Sequence, residues 1–151
     1  MKSSEIYSQI MKDQKYKKEF EKTRKTLTKH YSKNFVPSYE IDRAVIIIKK
    51  KKPFLDWIKN LPDSDLEITI DDLNSEPSTY LIPAYEENYL LLAHLSAICH
   101  EIFVLEMNGW WTEEEVWEKD LSWENFNLWF EYDICSLPID LGEGEIFREE
   151  Y

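Results

Sequence analysis

AVIIIKKKKPFLDWIKNL, residues 44 to 61, is the stretch that settles what kind of fold this chain can adopt. Residues 44–48 form a β-branched apolar run without alternation, the pattern of a strand covered on both faces. The four lysines that follow close the strand, blunting an apolar end and neutralising nearby acids. Pro53 then stands where the first turn of a helix tolerates a missing N–H. Phe54, Trp57, Ile58 and Leu61 follow at i, i+3, i+4 and i+7, the spacing of one buried helical face. A strand running directly into an amphipathic helix requires a fold that mixes both elements.

Working outward, PDSD (62–65) makes a turn, and LEITI (66–70) alternates Leu66, Ile68 and Ile70 against Glu67 and Thr69, which predicts a half-buried strand. STYLI (78–82) is a further strand stopped by Pro83. The longest helix is expected from about Glu86 to Asn108. Its stripe is Leu91, Leu95, Ile98, Ile102 and Leu105, widened by Leu92, Cys99 and Phe103, and Gly109 is placed to end it. YDICSL (132–137) gives the last strand, ended by Pro138. The expectation is a single α+β domain: a small mixed or antiparallel sheet of about four strands, packed mainly on one side by the long helix and short helices.

The N-terminal segment differs in kind. Residues 4–31 contain no Gly or Pro and favour a helix, but the apolar stripe of Ile6, Ile10, Phe20, Leu27 and Tyr31 is broken by Asp13, Lys17 and Arg24. Residues 1–35 carry ten Lys/Arg against four Asp/Glu, net +6, and the remainder carries eight against 26, net −18. The sequence therefore divides into a basic helical extension (1–40), the α+β domain (44–141) and an acidic tail expected to be loose (142–151). The extension is read as a peripheral helix held to the acidic body by charge. The alternatives are an arm that contacts nucleic acid or a membrane surface, and a self-association helix.

Composition excludes several activities. The chain of 151 residues has a net charge of −12, which opposes whole-surface affinity for nucleic acid or anionic lipid and suits a basic partner. Cys99 and Cys135 sit in apolar contexts without CxxC spacing, there is no secretory h-region, and no uninterrupted apolar run approaches the roughly 18 residues of a membrane span. The expected compartment is the cytoplasm, and the oligomeric state is open. With only three glycines, at 109, 142 and 144, neither a P-loop nor GxGxxG can be written, and GxSxG is absent. His94 and His100 lie about 240° apart on a helix at ~100° per residue and cannot grip one ion together. No EF-hand spacing occurs among the acids. No metal, cofactor or catalytic residue is expected. Cys135 and His94 are the two positions around which an unrecognised enzyme site could be built.

Residues 109–130, GWWTEEEVWEKDLSWENFNLWF, hold five of the six tryptophans and six carboxylates. Thr112 with Glu115 reads as a capping box opening a short helix, and Ser122 as a second N-cap with a Leu121–Phe126 staple. Trp123, Phe126 and Phe130 then face inward. Adjacent Trp110 and Trp111 point in different directions, so one of them is expected to stay accessible. Trp110 and Trp111 with Glu113, Glu114 and Glu118 form the candidate recognition patch, tryptophan being enriched at binding hot spots.

The motifs KKPFLDWIKNLPDSD, NSEPSTYLIPAYEEN and the spaced Trp pattern from GWW to CSLPIDL resemble a group of small, acidic, Trp-rich stand-alone bacterial proteins of unknown function. The resemblance covers roughly residues 44–141. It implies an α+β cytosolic protein and brings no catalytic residues with it. Two features depart from the group: the longer basic segment 1–40, and the apolar LLLAHLSAICHEIFVLEM where an acidic helix precedes GWW. The functional expectation is a non-enzymatic protein-interaction module, of the inhibitor or immunity kind, that binds a basic partner through an acidic Trp-containing face. The alternatives are an enzyme near Cys135 or His94, and nucleic-acid binding through residues 1–35.

Overall fold

The computed structural model describes residues 3–151. In chain order the elements are α1 (Ser3–Lys12), α2 (Gln14–Tyr31), β1 (Tyr39–Glu40), β2 (Arg43–Lys50), α3 (Lys52–Lys59), α4 (Ile70–Leu73), β3 (Ser78–Pro83), α5 (Asn88–Asn108), a 3-10 turn (Glu114–Val116), α6 (Trp123–Trp129), β4 (Phe130–Cys135) and β5 (Ile139–Asp140). The fold is α+β with antiparallel sheets. By internal contacts the chain forms two compact units, one of the segment up to Ile41 together with Pro138–Tyr151, the other Asp42–Leu137.

In the Asp42–Leu137 unit, β2 is the centre of a three-stranded sheet ordered β3-β2-β4, with Ile46 opposite Tyr80 on one side and Ile134 on the other. Ala44, Ile46, Ile48 and Lys50 are buried, whereas Arg43, Val45, Ile47 and Lys49 are half-buried. The strand is thus fully covered on one face only, a correction to the two-faced cover expected from its unbroken apolar run. The outer-face residues across from Val45 and Ile47 are exposed Leu81, Cys135 and Asp133, so the β-branched character there reflects strand propensity as much as burial.

α3 follows with Pro53 in its first turn and buries Phe54 and Ile58. LEITI does not form a strand, which leaves three strands in this sheet rather than about four. Thr69 instead caps α4: its hydroxyl accepts from Asp72 N, and Thr69 N donates to the Asp72 carboxylate at 2.9 Å, a complete capping box. That local box competes with a pleated conformation and wins, because Leu66 and Glu67 gain no burial from one. Asn74, just past α4, accepts from Lys50 N at 2.7 Å and donates to Lys50 O at 2.9 Å.

α5 spans 21 residues and is long and apolar enough by length and composition to cross a membrane, although His94, His100 and Glu101 interrupt its apolar sequence. In this fold its buried positions are Leu91, Leu95, Cys99, Ile102, Phe103, Glu106 and Met107. Phe103 is the hub of an aromatic cluster, with ring centroids 5.9, 5.3 and 5.0 Å from Phe126, Trp129 and Phe130. Phe54 reaches the same cluster at 5.5 Å from Phe130. Glu106 is buried because Lys50 Nζ meets its carboxylate at 2.8 Å and the Tyr80 hydroxyl donates to it at 2.6 Å. The second lysine of the strand-closing run is therefore a core residue.

In the other unit the N-terminal helix is two helices. Asp13, which interrupted the apolar stripe, also interrupts the backbone. It caps α2 by accepting from Lys15 N and Tyr16 N, and Tyr7 of α1 packs edge-on to Phe20 of α2 at 6.2 Å. Neither helix buries a single residue. Two short strands not read from the sequence, β1 and β5, pair antiparallel through Tyr39–Asp140 and Glu40–Ile139.

Candidate recognition site

The candidate patch begins where α5 stops. Gly109 ends the helix in a right-handed conformation (φ −64°), not the left-handed one that favours glycine, and the amides of Trp110 and Trp111 both donate to Met107 O at 2.9 Å. Both indoles are half-buried and pack on the core. The Trp111 carbonyl accepts from Trp117 Nε1 at 2.7 Å, while the buried Trp111 Nε1 has no partner among the described residues.

The expected capping box at Thr112 does not form. The segment is a 3-10 turn with Glu113 at its cap position and no side-chain cap bond. Its carbonyls have tertiary partners instead: Trp57 Nε1 donates to Val116 O at 2.8 Å, and Lys119 Nζ to Glu114 O. Such bonds fix the turn where a continued helix would need those acceptors for its own amides. Ser122 does cap α6, accepting from Asn125 N. It also holds the Asp120 carboxyl below the usual carboxylate range, through its hydroxyl and then its backbone N–H.

Glu113, Glu114 and Glu115 are exposed, and none has an ion-pair partner among the described residues. Glu118 is placed differently: half-buried, its carboxylate accepts from Lys119 N and Asp120 N at 2.8 and 2.9 Å and so shapes the loop. Of the candidate residues Glu113 and Glu114 are therefore exposed while Trp110, Trp111 and Glu118 are all half-buried, and Glu115, read from the sequence as part of a capping box, is exposed as well.

The other candidate positions are engaged elsewhere. The half-buried His94 Nδ1 meets the Tyr85 hydroxyl at 2.8 Å. Cys135 is exposed on the outer sheet face across from Val45, and Cys99 is buried, which pushes its thiol pKa up and leaves it a poor nucleophile. Neither Cys135 nor His94 lines the grooves formed by residues 20–32 or the hollow between Pro37 and Glu145. Each lysine of the KKKK run has an acceptor: Lys49 on Asp133, Lys50 on Glu106, Lys51 on Asn127 O and Lys52 on Asp56. Among the described residues no group of three or more His, Cys, Asp or Glu is placed to hold a metal ion.

Comparison with protein families, curated proteins and solved structures finds no match to this chain.

Proposed function

We propose that this protein is a non-enzymatic interaction module, of the inhibitor or immunity kind, that takes a basic protein on the acidic surface beside Trp110. The observation that carries this reading is the run of exposed carboxylates at Glu113, Glu114 and Glu115, without an ion-pair partner among the described residues and starting two residues after a half-buried tryptophan pair. Unpaired surface carboxylates attract a cationic partner and raise its encounter rate, and an aromatic ring at the contact supplies the desolvated anchor. The turn that presents them is held by indole N–H bonds from Trp57 and Trp117, so the carboxylates are displayed on a fixed backbone.

The test is a comparison of the wild-type chain with a triple variant, Glu113→Gln, Glu114→Gln and Glu115→Gln, as baits for soluble protein at about 0.1 and 0.5 M salt. The expected result is a basic protein retained stoichiometrically by the wild type at the lower salt and lost in the variant, with unchanged far-UV circular dichroism. Recovery of the same proteins by both baits at both salts would sink the proposal.

A further inference from the structure

The two N-terminal helices present an unusual surface. α2 buries nothing, yet Phe20, Leu27 and Tyr31 fall along one side of it, with Leu27 and Tyr31 47% and 42% exposed. Together with Thr23 and Arg24 they line an open groove of about 760 Å³, and the adjoining groove carries Lys22, Lys25 and Lys29 against the single acid Glu21. An apolar floor with a basic rim fits an acidic segment that brings apolar anchors. The phosphates of a nucleic acid would engage the rim and leave the floor unused. A helix of 18 residues with no buried face also gains most of its stability only when that face is covered.

Such a segment is present in the same unit of this chain. Residues 145–151, EIFREEY, carry three glutamates, one arginine and the apolar side chains Ile146, Phe147 and Tyr151, which are 58%, 85% and 103% exposed. The segment is tethered beside the groove: the Glu143 carboxylate lies 3.1 Å from His30 Nε2, one residue before Tyr31. Gly144, with φ +93° and nothing within 4 Å of where a Cβ would stand, separates tether from tail by a backbone conformation open to glycine and easily re-aimed. From Glu143, Phe147 is four residues on and reaches up to about 13 Å in extended chain. Leu27 is about 4.5 Å from His30 along the helix axis and Phe20 about 15 Å. The tail therefore spans the groove, and a tether this short gives it an effective concentration in the millimolar range.

We infer that the groove along α2 is a docking site for the chain's own acidic tail, which folds back at Gly144 to seat Ile146 and Phe147 on Leu27 and Tyr31 while its glutamates face Lys22, Lys25 and Lys29. The open position of the tail leaves the basic groove free, and the docked position closes it.

Nuclear magnetic resonance of the isotope-labelled full chain tests this. At low salt, nuclear Overhauser contacts from the Phe147 ring to the Leu27 methyls are expected. Phe147→Ser should abolish them and shift amides within residues 20–32, and Leu27→Asp, a change at an exposed position, should do the same to amides of residues 145–151. Raising the salt to about 0.5 M should weaken the contacts. The inference is overturned if Phe147→Ser leaves the amides of residues 20–32 where they were. It is equally overturned if the contacts appear only between differently labelled copies in a mixed sample, which would give the groove to a second molecule.

Discussion

Glu106→Gln removes one partner of the buried Lys50–Glu106 pair, and its effect follows from the geometry. The two side chains are 6% and 4% exposed at 2.8 Å separation, so the variant leaves the buried Lys50 side chain with neutral acceptors only, the Ser78 hydroxyl at 3.0 Å and the new amide oxygen, and no counter-charge. Leaving one buried charge uncompensated costs about 3–5 kcal/mol, a fifth or more of the roughly 5–15 kcal/mol that holds a domain together. Replacing the whole network is a different matter. Lys50→Met with Glu106→Leu removes both charges, and adding Tyr80→Phe avoids stranding the hydroxyl that donates to Glu106. That triple variant should come within about 1 kcal/mol of the wild type or exceed it, since apolar replacement of a buried ion pair is often neutral or stabilising. Urea unfolding followed by tryptophan fluorescence reads this unit alone, because all six tryptophans lie in Asp42–Leu137. The slope with denaturant should stay constant across the series, so that midpoints report stability. Were Glu106→Gln to cost less than about 1 kcal/mol, the pair would be hydrated in solution and the reasoning refuted.

Two further outcomes follow from local conformation and charge. Gly109→Ala should be neutral or stabilise the protein by about 0.4–1 kcal/mol, because the residue sits at φ −64° and an added Cβ meets its nearest neighbours at an ordinary 3.6 Å; a thermal melt shifted downward by several degrees would contradict this. Thr69 and Ser122 hold the carboxyls of Asp72 and Asp120 below their ordinary values, so each carboxylate stabilises the folded state above its unfolded pKa. That stability is lost as pH falls from about 4 through the lowered folded values, and the double variant Asp72→Asn, Asp120→Asn should flatten the acid limb of a stability–pH curve. An acid limb of the same slope in the variant would place the titration elsewhere.

The strand of residues 44–48 was legible from its β-branched composition, though not its cover on one face only, and the helix that follows from its local 3.6-residue period, as were the cap at Ser122 and the extent of α5. Besides the break at Asp13 and the β1–β5 pair, three more features were not. LEITI alternates like a strand, and five residues cannot outweigh a Thr69–Asp72 capping box whose benefit is independent of burial. The Thr112–Glu115 pair has the same local grammar but loses to indole N–H groups from Trp57 and Trp117, which arrive by tertiary packing. Lys50 looked like one of four solvated lysines, and its burial depends on Glu106 in another element. For the candidate site, the sequence pointed to Glu113 and Glu114, which are exposed, but put the equally exposed Glu115 in a capping box. It could not show that the Glu118 carboxylate is bound by the two backbone amides that follow it.

Asn74 gives the sheet an ending that tolerates little editing. Its side-chain amide takes both the N–H and the C=O of Lys50, standing in for a neighbouring peptide at the point where β3 has not yet begun. A side chain that imitates main chain fixes the distance between the end of α4 and the start of β3, so one residue inserted or deleted among Ser75, Glu76 and Pro77 would pull that amide out of register. Lineages that drift in length are therefore expected to do so in the tail beyond Gly144 or before α2, and to keep the segment 74–78 at constant length with asparagine at its head.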